Sequence, residues 1–357
     1  MSSIQGLFPP GTDLSLVEGI PFRCRPGCGL CCYATPGVGP EELPGLIKAA
    51  PRLPMLGAPS NHLRIRSRPG GGACCALSTT RCTVYPSRPS PCRTFPIHTH
   101  LGVRPQLSLV LSCPGVPLTG ILGKAGDLPR TEEPEGLATE LSAVASTLRS
   151  TPTEALLRQT AHRLEALIRS SVRQGRWEER EPLQRDLGSS LPLPQPGDFP
   201  PSGVPGMDEP LENLPLFFEE GKGVLGLRQG NSGYQVLQFS EEGGEEDRLG
   251  EFPVPTYPPV LDEEARGLLD GYLRYLLRRD QFWFLAYGTL RDERDRTLRE
   301  IVVSTLRQAG AHVVVRAKVR ASLKGRAQEV LGAPALEEGI RAFDADLLDQ
   351  PTFGTAF

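Results

Sequence analysis

Cysteine carries the clearest chemical signal in this sequence, because all nine cysteines lie between Cys24 and Cys113. The first cluster reads Cys24-x3-Cys28-x2-Cys31 and is followed at once by Cys32. The others are Cys74, Cys75, Cys82, Cys92 and Cys113. A chain that used cysteine only as a small apolar residue would scatter it. The clustering therefore predicts that the N-terminal third is built around a metal or around disulfide bonds.

The sequence outside the cysteines favours metal over disulfides. Disulfide frameworks are typical of secreted proteins, and the first twenty residues have neither the basic region nor the apolar run of a signal peptide. No stretch approaches about 18 uninterrupted apolar residues, so we expect no membrane span. We therefore expect a cytoplasmic protein with reduced thiols, in which short cysteine spacings indicate metal ligands. A net charge of −3 gives no basic footprint for nucleic acid, and we expect neither nucleic acid nor membrane as a partner.

The spacing of the first three cysteines brings three thiols together on a turn-rich backbone that contains Pro26, Gly27 and Gly29. Zinc and iron–sulfur clusters both use such a set of thiolates, usually completed by a distant cysteine. Neighbouring side chains of an extended backbone point in opposite directions, so one of the adjacent Cys31 and Cys32 would serve a second site or none. With Cys74 set aside, the candidate metal ligands are Cys24, Cys28, Cys31, Cys32, Cys75, Cys82, Cys92 and Cys113.

Two arginines near Cys92 are candidates for a supporting role around the metal. Arg88 and Arg93 could offset the negative charge of a thiolate-bound cluster and lower the pKa of nearby thiols. The alternative is that both are ordinary surface residues. His98 and His100 would share one face of a strand, either as metal contacts or as polar side chains on an exposed face.

The whole constellation resembles the zinc- or iron-chelating cysteine-cluster family, which is related to the flagellin lysine N-methylases. The motifs that carry the resemblance are Cys24-x3-Cys28-x2-Cys31-Cys32 and Cys82-x2-Tyr85-x2-Arg88-Pro89-x2-Cys92-Arg93-x-Phe95-Pro96. The resemblance covers about residues 21–117 and implies a bound cluster there, with iron–sulfur preferred. For some members it also implies N-methylation of a lysine in a protein substrate.

The spacing of Cys24, Cys28 and Cys31 also occurs in radical S-adenosylmethionine enzymes, in which one iron stays open for that cofactor. Their fold needs a partial barrel of alternating strands and helices after the motif. Residues 33–117 show no such alternation, so we do not expect this barrel. An open iron in another fold would still make S-adenosylmethionine a cofactor.

The fold class expected from the sequence is mainly α, with an irregular, loop-rich metal-binding N-terminal domain and a small β-hairpin (α+β). The expected divisions are a lead-in at 1–20, the cysteine domain at 21–117, a helical hairpin at 118–187, a proline-rich connector at 188–215, and a β element with helices at 216–357. Apolar residues at helical spacing from Leu137 to Val172 predict two helices that pack together, with Thr151 as an N-cap. Val224–Phe239 predicts the β-hairpin, and the aromatic run at Phe282 predicts helical core.

Two classes of function fit these residues. The first is an iron–sulfur protein with a redox role or with N-methylation of a protein lysine. The second is a structural zinc module that folds the N-terminal third and presents the helical region to a protein partner. Thiolate-rich sites suit both metals. The excess of cysteines beyond four favours iron–sulfur or more than one site, and the sequence leaves open whether the chain is an enzyme.

Overall fold

The computed structural model describes the chain in segments. These are residues 4–20, 22, 28–33, 36–57, 63–68, 73–78, 81–122, 137–150, 153–195, 198, 214–219, 223–229, 233–239, 247–253, 260–324 and 330–346. Cys24 and the expected N-cap Thr151 lie outside these residues. The described chain is mainly helical with several small sheets, as the sequence predicts.

The N-terminal third consists of short elements. They are β1 (Gly37–Val38), α1 (Leu43–Ala49), β2 (Met55–Gly57), β3 (Leu63–Ile65), β4 (Leu77–Ser78), β5 (Arg81–Cys82), α2 (Ser90–Thr94), β6 (Ile97–Leu101), β7 (Pro105–Leu109) and α3 (Leu118–Leu122). Short 3-10 turns cover Ile4–Leu7, Leu30–Tyr33 and Tyr85–Ser87. The strands form a three-stranded antiparallel sheet of order β1-β3-β2 and the antiparallel pairs β4-β5 and β6-β7.

Longer helices follow, interrupted by one larger sheet. The elements are α4 (Ala138–Ser150), α5 (Thr153–Arg173), α6 (Arg180–Ser189), β8 (Leu214–Glu219), β9 (Gly223–Gln229), β10 (Gly233–Phe239), β11 (Asp247–Pro253), β12 (Val260–Leu261), α7 (Glu263–Arg278), α8 (Asp280–Asp292), α9 (Leu298–Leu323), β13 (Val330–Leu331) and α10 (Ala333–Asp346). The expected hairpin is β9 and β10, and it belongs to a four-stranded antiparallel sheet of order β11-β10-β9-β8. The strands β12 and β13 pair in parallel.

The helices of residues 118–187 differ in packing from the expected hairpin. Both expected helices form, but α4 packs mainly against α2 and β6. Leu141, Val144 and Leu148 of α4 are buried in the core, whereas Val172 near the end of α5 is exposed. The helix α4 therefore packs on α2 and β6 of the cysteine segment, with its apolar stripe buried in the core.

Two separate hydrophobic cores organise the protein. The small core consists of Val38, Leu46, Ile65, Cys74, Ala76 and Val84, with Cys32 and Cys82 packed against it. The main core joins the helices to residues 97–122 and to Phe8, Leu14, Leu16 and Val17 of the lead-in. The lead-in is therefore packed into the main core. Along the cysteine segment, Val84 is the last residue of the small core, and Ile97 is the next buried residue that belongs to the main core.

A buried polar network connects β7 to the helices. Arg279 and Asp344 form an ion pair of 2.6 Å between Nη1 and Oδ1, and both side chains are almost fully buried. The backbone N–H of Leu111 donates to Oδ2 of Asp344 at 2.6 Å. The hydroxyl of Tyr275 donates to the carbonyl of Leu109 at 3.1 Å. The network therefore fixes the end of β7 against α7 and α10.

Among the described helices, none is long and apolar enough to cross a membrane.

Candidate metal centre

The thiols of Cys31, Cys32, Cys74, Cys82 and Cys92 lie close enough together to affect one another's pKa. We call these residues the thiol cluster. Each of them is a free thiol among the described cysteines. The cluster adjoins the small core, to which Cys32, Cys74 and Cys82 belong or pack.

Short-range backbone structure brings the thiol cluster together. Cys31 and Cys32 lie in the 3-10 turn Leu30–Tyr33, and the carbonyl of Cys32 accepts a hydrogen bond of 2.6 Å from the N–H of Cys74. Cys82 ends β5 and pairs with Leu77 across the β4-β5 hairpin. Cys92 lies in α2, the helix on which α4 packs. Three distant pieces of the sequence thus converge because turns and a tight hairpin hold them.

Backbone N–H groups point at two of the cluster sulfurs. The N–H of Ala76 donates to Sγ of Cys74 at 3.5 Å, and the N–H of Val84 donates to Cys82 and opposes the rise in its pKa that burial causes. In both cases the donor lies two residues after the cysteine. Hydrogen bonds to the charged form favour that form, so both bonds partly offset the effect of burial, which favours the protonated thiols.

Arg88 supplies positive charge to the thiol cluster. Its guanidinium helps the hydrogen bond from Cys32 to lower the pKa of Cys31, and it partly opposes the rise in the pKa of Cys82 and Cys92 that burial causes. The group lies 3.7 Å above the ring of Tyr85, which holds it in place. Its buried Nε has no hydrogen-bond partner among the residues that the structure describes.

Arg93 has a different environment from Arg88. Its Nη2 forms an ion pair of 2.7 Å with Oε1 of Glu42, and its side chain is nearly half exposed. The same Glu42 oxygen accepts a hydrogen bond of 2.7 Å from the N–H of Ser90. Arg93 therefore connects the start of α1 to α2. The supporting role expected for both arginines stays a prediction, and the geometry favours Arg88.

Protonation in the thiol cluster is uneven. A hydrogen bond from Cys32 lowers the pKa of Cys31 to about 7, and the same bond raises the pKa of Cys32. Burial raises the pKa of Cys92 to about 12, and burial also raises the pKa of Cys74 and Cys82. Several thiolates in one half-buried place repel each other, and a bound cation removes that cost. The donor set therefore fits Zn²⁺ or an iron–sulfur cluster.

The remaining candidate ligands occupy different positions. Cys24 lies outside the described residues. Cys28 is half-buried and precedes Cys31 in the same segment, while Cys75 lies beside Cys74 and raises its pKa. Cys113 is 7% exposed and belongs to the main core. Its carbonyl accepts a hydrogen bond of 2.6 Å from Nη1 of Arg341 in α10. The structure thus places Cys113 with the helices.

No group of three or more Cys, His, Asp or Glu side chains in the described part of the chain is arranged to hold a metal ion as it stands. The opening motif of the sequence includes Cys24, which lies outside the described residues, so the described part of the chain contains an incomplete set of candidate ligands. The assignment of individual ligands therefore stays a prediction.

Cys74 is the one cysteine that the sequence analysis set aside as a ligand. The structure buries Cys74 in the thiol cluster, where its sulfur accepts the N–H of Ala76. The adjacent pair Cys74-Cys75 was the available signal in the sequence. Which of the two side chains faces the other thiols depends on the direction of the turn before β4. That direction depends on the bridge between Ser67 and Cys74, which sequence alone does not reveal.

The two histidines of β6 do not project from an exposed face. His100 is buried with its ring 4.7 Å from the ring of Phe284. Both ring nitrogens of His98 are buried and have no hydrogen-bond partner among the described residues, although the residue as a whole is only half-buried. Burial lowers the pKa of His98 to about 3. The exposed-face interpretation is wrong because β6 lies against α4 and α5.

Comparison with known proteins supports the metal assignment at a coarse level. Residues 23–109 match the CxxCxxCC family model, which is described as a "putative zinc- or iron-chelating domain". The match ends at the last residue of β7 and includes the whole thiol cluster. No curated protein and no solved structure matches the chain significantly. The N-terminal third is thus similar to a cysteine-cluster domain that chelates zinc or iron.

Proposed function

We propose that this protein holds an iron–sulfur cluster in the thiol cluster and uses it for electron transfer or for a reaction on a protein substrate. The observation that carries the proposal is the convergence of Cys31, Cys32, Cys74, Cys82 and Cys92 beside the guanidinium of Arg88. We place Cys24 and Cys28 in the same centre on the basis of the sequence motif, and we place Cys113 outside it.

The number and charge of the thiols favour iron over zinc. Zinc in structural sites takes four ligands, whereas the segment holds more thiols than one zinc site uses. An iron–sulfur cluster bound by thiolates is anionic, and a buried cation beside it stabilises that charge. Arg88 supplies such a cation for three of the cysteines. When bound, an iron–sulfur cluster would supply a one-electron redox centre or an open iron.

A structural zinc module is the second candidate. The observation that favours it is the size of the small core, which contains six buried residues in the part of the chain that the structure describes. So few apolar residues stabilise a fold only weakly, and metal bonds can supply the missing free energy. On this alternative the domain would serve to present the helical region to a protein partner.

Anaerobic purification of the full chain separates the two candidates. We expect a brown protein with broad absorption near about 400 nm, as thiolate-bound iron–sulfur clusters show, together with iron and acid-labile sulfide. Cys82→Ser and Cys92→Ser should each lose most of the iron. Cys113→Ser is the matched control and should retain it. A colourless protein with stoichiometric zinc and no iron would overturn the iron–sulfur proposal and establish the zinc module.

We extend the proposal to methyl transfer, and the support for this extension is the sequence resemblance to the flagellin lysine N-methylases. If one iron lacks a protein ligand, S-adenosylmethionine should change the spectrum of the reduced cluster. Transfer of labelled methyl groups to lysines of a cell extract, absent in Cys82→Ser, would establish the activity. An unchanged spectrum and no labelled protein would exclude methyl transfer but would not affect the proposal that the protein binds a metal.

A further inference from the structure

Charge is distributed unevenly between the cysteine segment and the rest of the chain. Residues 21–117 contain eleven arginines and lysines but only two acidic residues, Glu41 and Glu42, which gives a net charge of +9. The remaining residues carry 28 basic and 40 acidic side chains, a net charge of −12. The overall charge of −3 therefore conceals two regions of opposite sign. Such an asymmetry indicates that the basic region meets a partner of opposite charge.

Four of these cations lie near one another on the surface of the cysteine segment. Arg64 in β3 and Arg66 just after it are exposed on either side of the buried Ile65, so both side chains project from the face opposite the small core. The N–H of Arg66 donates to the carbonyl of Pro54 at 3.0 Å, and Arg52 precedes that proline by two residues. The last turn of α1 adds a lysine four residues before Arg52. We call these four exposed residues the basic surface: Lys48, Arg52, Arg64 and Arg66.

The cations of the basic surface have no carboxylate partner in the part of the chain that the structure describes. Of the two glutamates in the segment, Glu42 is occupied by Arg93 at 2.7 Å. The helical region differs, because its cations are paired there, for example Arg299 with Glu178 at 2.5 Å. Unpaired cations that lie near one another repel, and a partner that brings carboxylates turns this repulsion into attraction.

Exposed apolar side chains accompany the cations. Ile47, beside Lys48 in α1, is 47% exposed, and Tyr85, which lies under the guanidinium of Arg88, is 55% exposed. The helix α1 contacts the 3-10 turn that contains Tyr85. Tyrosine and arginine are enriched where proteins meet one another. A metal centre with four thiolates carries a charge of only about −2, so it would not neutralise the segment.

The acidic remainder of the chain favours a protein over a nucleic acid as the partner. A long polyanion that lay on the small cysteine segment would also run past the region of net charge −12, and charges act over about 8 Å at physiological ionic strength. A compact acidic surface can meet the cations without approaching that region.

We propose that the basic surface is the docking site for a partner protein that presents a cluster of aspartates and glutamates. The carbonyl of Arg66 accepts a hydrogen bond of 2.9 Å from the N–H of Cys75, the neighbour of Cys74 in the thiol cluster. Docking would therefore bring the partner close to the thiols. That the partner meets a metal centre there rests on the proposed function, whereas the binding itself does not.

Fluorescence anisotropy of labelled decaglutamate with the anaerobically purified full chain tests the proposal. We expect saturable binding that weakens about tenfold between about 50 and about 200 mM NaCl, because salt screens exposed charges. Arg64→Glu/Arg66→Glu should weaken binding about tenfold or more, since like charges then face the peptide. Arg158→Glu/Arg173→Glu makes the same change of charge at exposed positions of α5 and should leave the affinity within about twofold.

Three outcomes would overturn the proposal: no saturable binding of decaglutamate, equal loss in the two double variants, or tighter binding of a long double-stranded DNA than of the peptide. The last outcome would assign the surface to nucleic acid. If Arg64→Glu/Arg66→Glu does not fold, Lys48→Glu/Arg52→Glu replaces it, and full affinity in that variant would equally contradict docking at this place.

The metal content of the same samples separates this proposal from the proposed function. Arg64→Glu/Arg66→Glu should retain the metal of the unmodified protein, because neither arginine is a candidate ligand. Binding of decaglutamate by a protein that holds neither iron nor zinc would contradict the proposed function and support the docking surface. Loss of the metal together with the peptide affinity in the variant would contradict a docking role, because the change would then act through the metal centre.

Discussion

At the scale of single residues, Arg88 and Arg93 show that two arginines five positions apart can have unrelated roles. Arg88 lies beside the thiols and its charge favours their thiolate form, while Arg93 pairs with Glu42 at the surface. In the sequence both arginines are neighbours of Cys92, and nothing there distinguishes their roles. The separation depends on the 3-10 turn at Tyr85, which directs Arg88 over the tyrosine ring.

Replacing Arg88 by glutamine should weaken metal retention, because the positive charge beside the thiolates is lost. Changes in residues that support the ligands of a metal cost about 10- to 100-fold in metal affinity, and we expect a loss in this range for Arg88→Gln. Arg93→Gln is the matched control, and we expect it to retain the metal. Competition with a chelator of known affinity measures the difference. Equal retention in the two variants would contradict a role for Arg88.

The buried histidines make stability depend on pH. The folded-state pKa values of His98 and His312 are about 3, below the ordinary 6.5. In acid the unfolded chain takes up protons that the folded chain does not, so stability is complete above pH 6.5 and falls as the pH drops towards 3. Each histidine should cost about 1.4 kcal/mol between about pH 7.5 and about pH 5.5.

Denaturant unfolding of the full chain at these two pH values measures the effect. His98→Gln should reduce the difference in the free energy of unfolding by about 1.4 kcal/mol. His162→Gln, on the exposed face of α5, is the matched control. The same pH dependence in His98→Gln and in the unmodified protein would show that His98 is not buried as a neutral ring.

At the scale of elements, the helices were the most predictable part of the chain. The stripe Leu141, Val144 and Leu148 gives α4, and the dense apolar run at Phe282 gives the buried helix α8. The β9-β10 hairpin was also predictable, since its β-rich runs flank Gly and Asn. The outer strands β8 and β11 were not predicted, because β8 begins inside a proline-rich stretch and β11 follows an acidic one. Their pairing with the hairpin overrides these local preferences.

Close packing of helix α7 depends on one of its two glycines. A Cβ on Gly271 would overlap with the carbonyl oxygen of Leu122 in α3, whereas a Cβ on Gly267 would meet open space. Gly271→Ala should therefore destabilise the protein by about 1–3 kcal/mol, since the backbones must move apart. Gly267→Ala should stabilise it by about 1 kcal/mol through helix propensity. Thermal and denaturant unfolding measure both, and equal effects of the two changes would contradict this packing.

At the scale of the whole molecule, the protein divides into two cores that do not follow the cysteine pattern. The cysteine content suggests one segment from residue 21 to 117, but residues 97–122 belong to the main core together with the helices. Cys113 is the clearest example, because its position in the sequence marks it as a ligand and its contacts mark it as part of the helical body. Such long-range packing between distant segments leaves no local trace in a sequence.

Removal of the metal should affect the two cores unequally. The small core is held by few apolar residues and by the proposed metal bonds, whereas the main core has many buried contacts of its own. After strong chelation under reducing conditions, we expect trypsin to cut after Arg81 and Arg93 before it cuts α7 to α10. Mass spectrometry of the early fragments measures this order. Simultaneous cleavage of both regions would contradict independent support of the main core.

The hydrogen bond between Leu111 and Asp344 joins residues 233 positions apart. The two partners are therefore synthesised at different times. A ribosome adds about 5–20 residues per second, so roughly 10–50 s separate the synthesis of β7 from that of its partner in α10. During this interval the small core and the thiol cluster are already synthesised, while α10, which holds the chain just after β7, is not. On the proposed function, the thiols can therefore receive their metal from a delivery factor before the rest of the protein closes over the adjoining strands.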